Sequence, residues 1–133
     1  MEHIQDSFLD LFEQKSFAHF ATVMPDGTPQ VTPVWVDYDE TDDRVLVNTM
    51  QGRQKERNVQ RQSKVGLSII DPDDPYRYVS VRGEVETVTQ EGAVDHINEL
   101  AHRYMGQEYP NLEDESGPRV VMRIRPDRVV TSG

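Results

Sequence analysis

The sequence predicts an antiparallel, barrel-like α+β domain that is mainly β, and three observations lead to that class. Six runs rich in Val, Ile, Thr and aromatic residues are bounded by clusters of Pro, Gly, Asp and Ser. The helical patterns do not alternate one for one with these runs, which argues against a parallel βαβ sheet. The length of 133 residues suits one domain with a real core, so residues 1–133 are expected to form a single unit.

Met1–Gln14 mixes Glu2, Asp6, Asp10 and Glu13 with Ile4, Phe8, Leu11 and Phe12, which reads as an amphipathic helix. It has neither the basic start nor the apolar run of a signal peptide. Phe17–Met24 is apolar and ends at Pro25-Asp26-Gly27-Thr28, a strong turn signal. Gln30–Tyr38 follows as a strand, so Phe17–Tyr38 reads as a β-hairpin. Alternation puts Gln30, Thr32, Val34 and Val36 on one face and Val31, Pro33 and Trp35 on the other. Gln30 and Thr32 are expected to face outward. Pro33 cannot donate to a ladder, so an edge, a bulge or a site is expected there. His19, in an apolar strand, reads as a core histidine.

The acidic run Asp37–Asp43 reads as a second turn, and Arg44–Thr49 as a short strand with Val45 and Val47 on one face. Gly52 opens a polar helical segment over Arg53–Gln62. Val65–Ile70 is a strand, broken sharply by Asp71-Pro72-Asp73-Asp74-Pro75. Tyr76–Val88 is a long strand in which Arg77, Val79, Val81, Gly83 and Val85 share a face, and Gly83 predicts a bend or bulge. Glu91–Met105 is a helix with Val94, Ile97, Leu100, Ala101 and Tyr104 on one side. Gly106–Pro118 is a polar loop, and Arg119–Val130 is the last strand. A short barrel of this kind leaves edges open, and dimerisation is one way to cover them.

Charge narrows the function. The chain carries 24 acidic and 14 basic residues, a net charge of −10, and only three of the basic residues are lysines. Such a chain repels itself at low salt, and at molar salt, where the Debye length is about 3 Å, the penalty is screened. An acid-rich, lysine-poor composition points to a halophilic protein, and the same composition also describes an ordinary acidic mesophilic one. A nucleic-acid binder is not expected, because phosphate backbones need a basic surface. With no cysteine there is no disulfide or thiolate chemistry. No apolar stretch is long enough for a membrane span, so a cytoplasmic protein is expected.

Against this background the segment from Gly52 to Lys64 stands out. Arg53, Lys55, Arg57, Arg61 and Lys64 fall within it, with Glu56 the one acid. It follows a strand and a glycine turn and opens a helix, where free N–H groups and the macrodipole favour a phosphate. An arginine fork and a lysine point charge together suit a terminal phosphate. The same pattern also describes a solvated basic helix face paired with acidic neighbours, and charge alone leaves both readings open. Gln30 and Thr32, with Asn48 and Thr49 at the end of the next strand, are candidates to hydrogen-bond a ring system beside it. His96 and His102 lie about 240° apart on their helix and cannot share a metal, so no metal site is expected. No nucleophile elbow, Walker loop, G-x-G-x-x-G or H-E-x-x-H motif occurs, so any catalysis would rely on a cofactor.

Several blocks, taken in order, resemble a known family. They are Phe20-Ala21-Thr22-Val23, Pro25-Asp26-Gly27-Thr28-Pro29-Gln30-Val31-Thr32-Pro33-Val34-Trp35-Val36 and Val47-Asn48-Thr49. After Gly52-Arg53-x-Lys55-x-Arg57-Asn58 come Val65-x-Leu67-Ser68, Asp71-Pro72-Asp73-Asp74-Pro75-Tyr76-Arg77-Tyr78 and Val81-Arg82-Gly83. Together they resemble the pyridoxamine 5'-phosphate oxidase-like split barrels, and within them the probable deazaflavin (coenzyme F420)-dependent oxidoreductases. The resemblance implies a six-stranded antiparallel split β-barrel with flanking helices, and a homodimer with two cofactor sites at the subunit interface. It implies an enzyme that passes a hydride between bound F420 or FMN and a small organic substrate. By position, Arg53 and Lys55 would grip the phosphate, with Arg57 and Asn58 in support. Gln30, Thr32, Pro33 and Val34 would line the ring, Asn48 and Thr49 would close its other side, and Tyr76, Arg77 and Tyr78 would come from the partner subunit. For a deazaflavin, Arg61 or Lys64 would meet the anionic tail. On this resemblance the extended C-terminal segment that true pyridoxamine phosphate oxidases use for their substrate is not expected here, which counts against that reaction. The alternative reading is a non-catalytic carrier of a flavin, deazaflavin or tetrapyrrole on the same scaffold.

Overall fold

The computed structural model describes residues 1–133. Seven strands form one antiparallel sheet: β1 (Ala18–Val23), β2 (Pro29–Val34), β3 (Asp37–Asp39), β4 (Arg44–Met50), β5 (Lys64–Asp71), β6 (Asp74–Thr89) and β7 (Arg119–Ser132). Helix α1 (Gln54–Arg61) joins β4 to β5, and α2 (Ala93–Met105) lies between β6 and β7. The order across the sheet is β2-β1-β5-β6-β7-β4-β3, so neighbours in sequence are often not neighbours in space. The long, bent β6 and β7 let the sheet coil round its core as a split barrel.

The strand count corrects the expected six. Within the acidic run read as a turn, Asp37, Tyr38 and Asp39 pair with Leu46, Val45 and Arg44. Tyr38 supplies the reason: its ring packs on Phe12, with centroids 5.2 Å apart, so this short segment has an apolar anchor. The strand expected over Gln30–Tyr38 is accordingly split at Trp35 and Val36. The N-terminal helix is also shorter and tighter than expected. It is a 3-10 helix over Asp6–Phe12 whose Phe8, Leu11 and Phe12 are buried. Arg77 fixes it, with Nη2 on the Ser7 carbonyl (2.7 Å) and the fork on Asp10.

The core uses the strand faces expected from alternation. Val65, Leu67 and Ile69 of β5 and Val79, Val81 and Val85 of β6 meet Val45 and Val47 of β4 beneath Phe20 and Ile124. The register of β6 against β7 slips between Arg82 and Gly83, where a bend or bulge was expected. Pro33 lies on an edge strand, as its missing donor requires. On α2, Ile97, Leu100 and Ala101 are buried, but Val94 is exposed. His19 corrects another expectation, since it is exposed on the outer face of β1. No helix is long and apolar enough to cross a membrane.

Candidate functional site

Of the three hollows in the surface, the two larger ones bear on the candidate residues. The larger, about 550 Å³, crosses the outer face of β1, β5, β6 and β7, where Lys64, Arg82 and Arg128 mix with Glu84 and Asp127. The smaller, about 200 Å³, lies where β2, β4, α1 and β7 converge, and it gathers the candidate residues. Size favours the first and chemistry the second. Pro33, Val34, Asn48, Thr49, Arg53 and Lys55 all line the smaller cleft, with Phe17, Trp35, Ile97, Tyr109 and Arg119 completing it.

The cationic side is built by the turn after β4. Gly52 adopts φ +95°, a conformation that L side chains rarely take, and its N–H is bonded to Glu56 Oε1 (2.8 Å). Glu56, itself buried, accepts from Gly52 through Oε1 and from Gln60 through Oε2, and it does not line the cleft. The N–H groups of the first turn of α1 have no intrahelical partner, as in any α-helix, and the N-cap residue Arg53 offers them no side-chain bond. Arg53 and Lys55 form neither an ion pair nor a side-chain hydrogen bond, although acids outnumber bases. Lys55 is half-buried, and its ammonium is held below the usual lysine range by burial first, then by the charges of Arg53 and Arg119.

The remaining residues of this segment have other tasks. Arg57 turns back onto the Gly52 carbonyl (3.1 Å) and Gln54 Oε1. Asn58 is fully buried and donates to Thr22 Oγ1 (3.0 Å), while Gln54 donates to its Oδ1 (2.8 Å). It stitches α1 to β1. Arg61 bonds the Val23 carbonyl, and Lys64 lies at the larger hollow. Gln30 and Thr32 correct the expected orientation, because they turn inward. Gln30 Oε1 accepts from Thr22 (3.2 Å), and Thr32 Oγ1 is buried without a partner. Neither lines the cleft. Tyr76, Arg77 and Tyr78 lie outside this chain's cleft, and the Arg77 fork is engaged by Asp10 (2.6 Å) and Asp71 (2.9 Å). Tyr76 is 81% exposed.

The far wall was not foreseen from the sequence. Arg119 enters the cleft because the register of β4 against β7 sets it opposite Met50. Its guanidinium lies 5.1 Å from the Tyr109 ring centre, donates through Nε to Asn48 Oδ1 (3.0 Å) and pairs through Nη1 with Glu115 (3.0 Å). Trp35 stacks on Tyr104 and meets Tyr109 edge-on. The cleft thus has a cationic floor, polar strand-end groups at Asn48 and Thr49, and an aromatic rim. It suits a planar ring that carries an anionic group.

The sequence matches the profile of the pyridoxamine 5'-phosphate oxidase family over residues 4–133. The chain belongs to that family. Among solved structures, an F420 reductase is 33% identical, with a TM-score of 0.83 over 96% of this chain and 98% of that one. A conserved hypothetical protein from Mycobacterium tuberculosis is 22% identical, with a TM-score of 0.76 over 99% of this chain and 89% of that one. The heme storage protein HutZ from Vibrio cholerae is 12% identical, with a TM-score of 0.70 over 99% and 96%, and shares the fold. No curated protein matches the sequence. The family's split barrel is therefore the architecture here.

Proposed function

We propose that this chain is an oxidoreductase that binds a deazaflavin (coenzyme F420) or FMN and passes a hydride between it and a small organic substrate. One observation carries the reading. In a chain of net charge −10, Arg53 and a half-buried Lys55 converge on a cleft with no carboxylate partner. Leaving a cation desolvated and unpaired is costly unless an anion completes the site. The residues present therefore fit a phosphate. The F420 reductase at 33% identity favours the deazaflavin over FMN.

When bound, such a cofactor supplies hydride donation and acceptance at its ring. The chain's own residues bind, orient and exclude water. Arg53, Lys55 and the uncapped first turn of α1 would hold the phosphate, with Arg119 as a third cation beside them. Pro33, Val34, Asn48 and Thr49 would flank the ring, and Trp35 and Tyr109 would keep water from its edge. A cleft of about 200 Å³ is smaller than a typical site of roughly 300–1,000 Å³ for a ligand of this size. This supports a homodimer in which the second subunit supplies the missing wall, with Tyr76 and Tyr78 as contributors.

Titrating the protein with F420 and with FMN at high salt, and following the emission of its single tryptophan, tests the reading. Trp35 lines the cleft, so binding should quench it. A Kd weaker than about 1 mM for both cofactors, worth only ~4 kcal/mol, would sink the proposal. A second reading, a cofactor carrier, is favoured by the cleft lining, which includes no histidine or carboxylate to move a proton. Binding without turnover across quinones, tetrapyrroles and nitro compounds would select it.

A further inference from the structure

His96 is the one histidine enclosed by a polar network, and that network ends at the cleft. Its Nε2 lies 3.0 Å from Asp37 Oδ2, and its Nδ1 lies 3.1 Å from Asn48 Nδ2. The orientation of the Asn48 amide is determined twice over. Nδ2 donates to the Ala93 carbonyl (2.9 Å), and Oδ1 accepts from Arg119 Nε (3.0 Å). Nδ2 is thus the amide atom that faces the imidazole, and Nδ1 must accept from it. Asp37, an acceptor, fixes the ring proton on Nε2. The neutral Nε2–H tautomer satisfies every partner.

We propose that His96 is a positioning residue for the anion cleft, holding Arg119 in place through Asn48. A proton on Nδ1 would point at the Asn48 amino group. Relief requires the Asn48 amide to turn, which takes Oδ1 away from Arg119 Nε and Nδ2 away from the Ala93 carbonyl. Arg119 then keeps only Glu115 and the Tyr109 face. The charged groups around His96 are Asp37 from β3 and Arg103 from α2, which itself binds Asp37 Oδ1 (2.9 Å), with Arg119 and Glu115 one step beyond Asn48. The inference rests on the cleft being an anion site, and it adds a group outside the lining that sets the cleft's affinity.

The test has two arms, both at high salt. In the first, FMN and inorganic phosphate are titrated into wild type, His96→Asn and His96→Leu across about pH 5 to 8, where histidine changes charge. His96→Asn keeps an acceptor near the position of Nδ1 and cannot titrate, whereas His96→Leu removes it. Wild type should lose about tenfold in affinity toward acid relative to His96→Asn, the scale of one charge-assisted hydrogen bond. The ligand phosphate's own protonation affects both proteins alike and cancels in the comparison. His96→Leu leaves the Ala93 carbonyl and Arg119 Nε to hold the Asn48 amide, so it should also lack the extra acid loss. In the second arm, nitrogen-15 spectra of ligand-free wild type follow Arg119 Nε–H and the His96 ring nitrogens over the same pH range, and the two should move together. Equal affinities and equal pH slopes in all three proteins, or an Arg119 signal indifferent to His96, would overturn the inference. Absence of any FMN or phosphate binding with the Arg119 response intact would instead overturn the cleft's assignment as an anion site and leave the linkage standing.

Discussion

Trp35 and Tyr104 stack face to face, their ring centroids 5.0 Å apart and their planes within 4° of parallel. The stack joins the end of β2 to α2, and the Tyr104 hydroxyl anchors it. The hydroxyl donates to the Ser16 carbonyl (2.5 Å) and accepts from the Val36 N–H (3.2 Å). Val36 is fully buried, so this N–H has no recourse to water. Tyr104→Phe keeps the stack but strands these groups. The expected cost is about 1–3 kcal/mol in urea denaturation. A change within experimental error would show that Tyr104 contributes by packing alone.

Lys55 works against stability. Its folded-state pKa is below the unfolded value near 10.5, so its charged form is favoured more by the unfolded chain. The cost is therefore present in full at neutral pH and is relieved only as pH rises through the folded value toward the unfolded one. Lys55→Met should raise the thermal midpoint at neutral pH, by an amount worth about 1 kcal/mol, while weakening phosphate binding. A variant that is both less stable and unchanged in affinity would contradict this account.

Asp37 has the opposite sign. Burial pushes its carboxyl up, but hydrogen bonds from His96 and Arg103, the Arg103 charge and the Tyr38 N–H together hold it below 3.8. Its contribution is present above the unfolded value and is lost as pH falls through the folded one. Asp37→Asn should cost about 1–3 kcal/mol at neutral pH. Denaturation curves collected down to about pH 3 should show the gap between variant and wild type closing in acid. A gap that does not change with pH would mean the carboxylate charge is immaterial.

Gly83 admits no side chain. A Cβ there would lie 2.1 Å from the Arg125 carbonyl oxygen and 3.2 Å from the Ile124 side chain, at the point where the ladder slips register. The first of these is backbone and cannot rotate aside. Gly83→Ala should destabilise by about 3 kcal/mol or more, beyond the usual range for adding one methyl group. A midpoint shift of only a degree or two in a thermal melt would refute it.

The sequence was most informative where local chemistry decides the outcome. Pro25-Asp26-Gly27-Thr28 and Asp71–Pro75 closed the turns they were expected to close, and Gly83 marked the slip between β6 and β7. Alternation separated Gln30 and Thr32 from Val31 and Pro33 but did not say which set faces inward. That depends on Asn58, which comes from α1 to meet Gln30 and Thr22. Tyr38 made a strand of an acidic run by packing on Phe12, a contact no local pattern shows. In the cleft, Arg53, Lys55, Asn48 and Thr49 were legible because they are close in sequence. Arg119 was not, because only the register of β4 against β7 brings it there. Tyr109 was not either, because the loop after α2 folds back to set it against Trp35 and Arg119.

The β4–β7 register also sets the order in which the cleft is assembled. β7 pairs with β4 through Val45–Met50 and with β6 over most of its length, so the last strand holds the two halves of the sheet together. During synthesis, Arg53 and Lys55 leave the ribosome long before Arg119 and the strand that carries it. Such distant pairing is slow to form and leaves partners exposed meanwhile. The cleft therefore comes into being only with the last strand, and an incomplete chain has Arg53 and Lys55 without the far wall that Arg119 builds.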